Sequence, residues 1–322
     1  MLRLAHRILS QNLGTLPDAY IPSSEAAVTS LWNATRAGLL AKEPIIIADN
    51  VASYVNDLYR VERTAPRSYS TYPPCPPPFQ RFFIEWNCPD SIRYPGNGET
   101  FRDVGMLQIG SYVCAFDTLG EAVKQALCGQ RLEGDMARIF ANTRWQVDCF
   151  NYVCLRDGRA IPTDLTHILL DADGQCLQVG GQNLLQAGSD EQPISGAEAI
   201  VMMTLGLMQC KNVDRIDVTE NEAPPPKWCR RQRVPELKYH ALQIDPNLGA
   251  KPRTDDRRTE GDRSGKALHI CRGHFAHFRD DGVSQGLFGR RRQFGTFWIP
   301  AHTRGSLEHG KVISTYKVKT PA

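Results

Sequence analysis

The final third of the chain gathers side chains that can move protons or hold an anion. Residues His269-Ile270-Cys271-Arg272-Gly273-His274-Phe275-Ala276-His277-Phe278 carry three histidines, a thiol and a guanidinium within one short passage. Alternate residues of a strand share a face. Read as a strand, Leu268, Ile270, Arg272, His274, Ala276 and Phe278 make one face, and His269, Cys271, Gly273, Phe275 and His277 the other. Arg272 and His274 then emerge side by side, next to a glycine that admits close backbone approach. A second pair, His302 and Arg304, follows Trp298-Ile299-Pro300-Ala301 at a strand end. Between the two pairs lies Gly286-Leu287-Phe288-Gly289-Arg290-Arg291-Arg292, a basic loop flanked by glycine.

Two His-Arg pairs on neighbouring antiparallel strands suit metal-independent cleavage of RNA. One imidazole takes the proton of the 2′-hydroxyl, another protonates the leaving 5′-oxygen, and guanidinium holds the charge that gathers on the phosphate. The expected catalytic set is His274 and His302 as acid and base, with Arg272 and Arg304 as charge stabilisers. Two plainer readings fit the same residues: phosphate binding without chemistry, and hydrogen bonding across the sheet. A zinc reading would draw on His269, Cys271 and His277, with His302 or His309 to complete it. Zinc prefers four ligands, and no second Cys/His pair stands at finger spacing, so neither metal nor cofactor is expected.

Charge points the same way. The net charge of +3 conceals a division: Lys227 to Ala322 holds 20 basic against 9 acidic side chains (+11), and residues 1–226 hold 18 against 26 (−8). A basic segment of this kind meets an anionic partner, for which Arg230, Arg231, Arg233, Arg290, Arg291 and Arg292 are the expected contacts. RNA is favoured over DNA, because the cationic part shows no helix-turn-helix or basic recognition helix. An acidic protein, or the acidic part of the same chain, is the competing partner. The longest apolar run, Ile200 to Met208, lies between Glu198 and Lys211 and is too short to span a bilayer.

The elements that must position these groups read as α+β. A helical N-terminal third is followed by a mainly antiparallel sheet region with a buried helix, and then by a basic C-terminal sheet. Helical spacing marks Leu2 to Leu16, Ser24 to Leu40, Asn50 to Arg60, Leu119 to Leu127, Glu133 to Phe140 and Ser195 to Met208. Strand patterns mark Ile45 to Ala48, Arg81 to Trp86, Met106 to Phe116, Trp145 to Leu155, Thr166 to Leu170, Lys238 to Ile244, Ala267 to Phe278, Phe294 to Ala301 and Val312 to Val318. The expected divisions are a helical region 1–64, a Pro-rich connector 65–78, an acidic α+β region 79–220 and a basic β-rich region 227–322. The last two could form one continuous domain. Ten cysteines without a CxxC pair or a secretory leader indicate reduced core thiols and a cytoplasmic protein.

The string Arg272-Gly273-His274-Phe275, Leu287-Phe288-Gly289, Gly295-Thr296-Phe297-Trp298, Pro300-Ala301-His302 and Arg304-Gly305 resembles a family of proteins from phages, prophages and bacteria. Cys210-Lys211-Asn212-Val213, the Pro-rich basic segment after it and Tyr239-His240 resemble the same family. The likeness covers roughly the last third of the chain and implies a phage or mobile-element setting, without implying an activity. The expectation is a nucleic-acid-engaging protein, with ribonuclease chemistry as its sharper form. The alternative is a non-enzymatic interaction protein: a virion component, an inhibitor of host defence or an antitoxin-like partner.

Overall fold

The computed structural model describes residues 3–11, 25–62, 76–88, 105–120, 123–124, 136–183, 197–221, 227, 229, 234–244, 267–271, 274–278, 294–299, 302–304 and 306–311. The chain divides into two units, Met1–Gln209 with Arg215–Gln243, and Cys210–Asp214 with Ile244–Ala322. The architecture is mixed α/β.

The large sheet has eight strands: β1 Ile45–Ile47, β2 Arg81–Asn87, β3 Met106–Phe116, β4 Trp145–Leu155, β5 Ala160–Leu170, β6 Cys176–Asn183, β7 Val213–Asp217 and β8 Tyr239–Ile244. Their order is β6-β5-β4-β3-β2-β1-β8-β7. β2 to β6 run as an antiparallel meander in chain order, whereas β1 is parallel to both β2 and β8. The sheet is therefore mostly antiparallel, and its short β1 lies in the interior, with all three isoleucines buried. Among the described residues, five α-helices accompany it: α1 Leu4–Ser10, α2 Glu25–Leu40, α3 Asp49–Glu62, α4 Met136–Asn142 and α5 Ala197–Met208.

Both faces of this sheet are covered, which explains why its central strands are apolar on nearly every residue rather than on alternate ones. One face carries Phe83, Tyr112, Phe150 and Tyr152, packed with Leu4 and Ile8 of α1 and Trp32 and Leu39 of α2. α1 lies close to the strands because Gly110 has no side chain; a Cβ there would sit 2.8 Å from Leu4 Cδ2 and 2.9 Å from the Ile84 carbonyl oxygen. Polar contacts fasten the same helix. Glu85 Oε2 accepts the Ala5 amide at 2.9 Å, and the Tyr239 hydroxyl lies 2.7 Å from His6 Nδ1. Gln11 exchanges two hydrogen bonds with the Ala160 backbone. α5 is buried along almost its whole length, in keeping with a helix that is apolar all round.

β5 contains Pro162, which cannot donate to a ladder. The register shifts between Asn151 and Tyr152 of β4 as they meet Asp164 and Pro162, and β6 pairs only from Asp164 onward. Thr163 is the extra residue of this bulge, and the proline lies beside it, opposite Tyr152.

The second unit contains two small sheets. β10 His274–Phe278 pairs with β11 Gly295–Ile299, and β12 His302–Arg304, β9 Ala267–Cys271 and β13 Ser306–Lys311 form the other in that order. The expected strand Ala267 to Phe278 is therefore described as two, β9 and β10.

Candidate nucleic-acid interface

β10 and β11 are antiparallel, with His274 opposite Ile299, Phe275 opposite Trp298, and His277 opposite Thr296. β9 and β12 are also antiparallel, with Cys271 opposite His302 and His269 opposite Arg304. Two residues of sequence lie between Cys271 and His274, and two between Ile299 and His302, so both ladders pair at the same offset.

The aromatic residues of this ribbon pack as edge-to-face pairs, the geometry favoured by ring quadrupoles. Phe275 meets Trp298 at 4.7 Å between centroids, and Phe278 meets Phe297 at 5.9 Å. Phe297, Trp298 and Ile299 are buried, Phe275 is half-buried and His277 is exposed, with its Nδ1 3.1 Å from Thr296 Oγ1. The outer edge of β11 is held by Lys211 and Asn212. Lys211 donates its amide to the Thr296 carbonyl at 2.9 Å, and the Asn212 side chain grips the Trp298 backbone from both sides. Asn212 Nδ2 donates to the carbonyl at 2.7 Å, and Oδ1 accepts the amide at 2.9 Å. Gly295 has a φ of +118°, and a Cβ at that position would lie 2.8 Å from Lys211 Cε, so both backbone and space require glycine. Two segments distant in sequence, Cys210-Lys211-Asn212-Val213 and Gly295-Thr296-Phe297-Trp298, thus meet in one clasp.

Of the expected site residues, the ladder brings His302 and Arg304 together with His269 and Cys271. His274 belongs to the other small sheet. Arg272, Arg230, Arg231, Arg233, Arg290, Arg291 and Arg292 lie outside the described residues, as do Gly273, Pro300 and most of the Pro-rich connector. Among the described residues no group of three His, Cys, Asp or Glu side chains could hold a metal ion. No helix among them is long and apolar enough to cross a membrane.

The first unit holds a constellation that the sequence reading does not single out. Arg81, Cys114, Asp148 and His167 stand in register across four adjacent strands, on one face of the sheet. His167 Nδ1 is 2.7 Å from Asp148 Oδ1, and Gln146 Nε2 donates to both oxygens of Asp148 at 2.9 and 3.0 Å. Gln146 Oε1 in turn accepts the Gly120 amide at 2.8 Å. Both members of the His-Asp pair are buried. A carboxylate oxygen accepts, so the contact is an Nδ1–H donation from His167 to Asp148.

Cys114 does not complete a catalytic dyad. It lies opposite Asp148 rather than His167, and burial pushes its thiol up to about 12 despite the opposing pull of Arg81. The thiolate is the nucleophile, so this sulfur is inert near neutral pH. Burial likewise raises Cys210 to about 12 and Cys154 to about 11, in line with cysteine as a small core residue. On the opposite face, Asn151 Nδ2 and Thr163 Oγ1 each donate to Asp164 at 2.7 Å, and Ser111 donates to Asn151. This closed network satisfies its own members.

No protein-family model, no curated protein and no solved structure matches the chain.

Proposed function

We propose that this chain is a phage- or mobile-element-associated protein that engages nucleic acid, RNA in preference to DNA, through the ribbon of its second unit. The observation that carries this reading is the shared register of β9–β12 and β10–β11. It places His269 opposite Arg304 and Cys271 opposite His302 in one ladder, and Phe275 opposite Trp298 and His277 opposite Thr296 in the other, so that cationic, proton-carrying and aromatic residues occur close together in the sequence of these short strands. Single-stranded RNA is recognised by this combination: a positive track for phosphates and ring faces for unstacked bases. The sequence of the second unit has 16 basic against 9 acidic side chains, a net +7, and the segment joining β10 to β11 contains Arg290, Arg291 and Arg292.

Fluorescence anisotropy of a labelled single-stranded RNA with the full chain tests this. Affinity is expected to fall linearly on a log–log plot against salt, by about 0.7 in slope for each phosphate neutralised. Arg304→Ala should remove about one such increment. Duplex DNA of the same length should bind more weakly. Affinity for RNA that is absent, or that does not respond to salt, contradicts the reading and favours an acidic protein as the partner.

A further inference from the structure

Resting on the nucleic-acid reading above, we infer that the ribbon is a metal-independent RNA-cleaving site. Its two imidazoles are His269 and His302, and Arg304 holds the phosphate charge. The juxtaposition is one of register. β12 runs antiparallel to β9 with His302 opposite Cys271 and Arg304 opposite His269. Directly opposed residues share a face, as do residues two apart on a strand. His269, Cys271, His302 and Arg304 therefore hold four adjacent positions on one face of the ladder. His269 and His302 are diagonal neighbours, for which the separation is about 7–8 Å.

His274 holds a different position. It pairs with Ile299 in the other small sheet, whereas His269 and His302 belong to one ladder. The second imidazole is accordingly assigned to His269.

Arg304 decides between an anion and a metal. A His-x-Cys sequence with a histidine on the neighbouring strand has the donor types of a zinc site. The register position opposite His269 is an arginine, however, whose permanent positive charge favours phosphate over a divalent cation.

The step balances without a cofactor. A neutral imidazole accepts the proton of the ribose 2′-hydroxyl as that oxygen bonds to phosphorus. The bond from phosphorus to the 5′-oxygen breaks, and the departing oxygen takes a proton from the second, protonated imidazole. The products are a 2′,3′-cyclic phosphate and a 5′-hydroxyl end. Each imidazole finishes in the protonation state in which the other began, and exchange with water restores both. The substrate class is single-stranded RNA, whose backbone can bring the 2′-oxygen into line with the leaving group; DNA lacks the nucleophile.

The test incubates the full chain with a labelled mixed-sequence RNA in excess EDTA and analyses the new ends, alongside binding measurements on the same samples. Cleavage to 2′,3′-cyclic phosphate ends is expected, with none for the all-deoxy oligonucleotide. His269→Ala and His302→Ala should each lose about 10²- to 10⁴-fold in rate, and His274→Ala less than tenfold. His269→Gln and His302→Gln guard against misfolding, since each should retain RNA binding while losing cleavage. A larger loss for His274→Ala than for His269→Ala overturns the assignment, as does cleavage that stops in EDTA. RNA that binds but stays intact overturns cleavage and leaves the nucleic-acid reading standing. RNA that does not bind at all overturns that reading itself.

Discussion

His167→Ala is expected to destabilise the first unit by about 1–3 kcal/mol, the range for depriving a buried acceptor of its hydrogen-bond partner, with a cavity cost added. The substitution leaves the Asp148 carboxylate buried in the sheet, with the Gln146 amide as its remaining donor in place of the imidazole at 2.7 Å. It also empties a ring-sized volume on a covered face, where packing relaxes only in part. Urea unfolding monitored by circular dichroism should show a lower midpoint with an unchanged slope. His167→Gln, which restores a donor of comparable length, should recover a substantial part of the loss. A midpoint that His167→Ala leaves in place would show that Asp148 has another route to solvation. The pair would then contribute little to the fold.

Asn212→Ala is expected to cost about 2–4 kcal/mol in the second unit, because it removes two hydrogen-bond partners from the buried Trp298 backbone. The side chain acts as a short third strand on the edge of β11, so its loss frees the strand that pairs with β10. The informative measurement is amide exchange: the Trp298 amide should lose protection while amides of β3 and β4 keep theirs. Because the same ribbon is the element proposed to meet RNA, affinity should fall together with that protection. Asn212→Asp keeps the acceptor and removes the donor, and should lie between wild type and alanine. Unaltered protection of Trp298 in Asn212→Ala would refute the clasp.

The sequence shows its strands most plainly where packing is simplest. Met106–Phe116 and Trp145–Leu155 coincide with β3 and β4, because both are long runs of β-branched, aromatic and other apolar residues buried on two faces. The beginning of β5 is hidden by Pro162, whose place beside a bulge depends on the partner strand. β6 is hidden by Gly180, Gly181 and flanking glutamines, which carry little strand propensity of their own. Val312 to Val318 lies outside the described residues, and of Leu119 to Leu127 only Val123 and Lys124 are described as helical.

Site residues follow the same logic. Alternation within one strand suffices to separate His269 and Cys271 from Arg272 and His274. It does not reveal which of the two sets faces His302 and Arg304, since that depends on the register set by a distant connection. Asp148 and His167 escape notice for a related reason. A polar residue in an alternating strand is ordinarily read as facing water, yet this sheet is covered on both sides, and the pair meets across two strands in its interior.

The most direct measurement of the central claim is photocrosslinking of a 4-thiouridine-substituted single-stranded RNA to the full chain, followed by mapping of the modified peptides. Crosslinks are expected within residues 267–304, centred on Phe275 and His277, and should diminish as salt is raised. Crosslinks confined to the first unit, or an RNA that acquires none at low salt, would contradict the account.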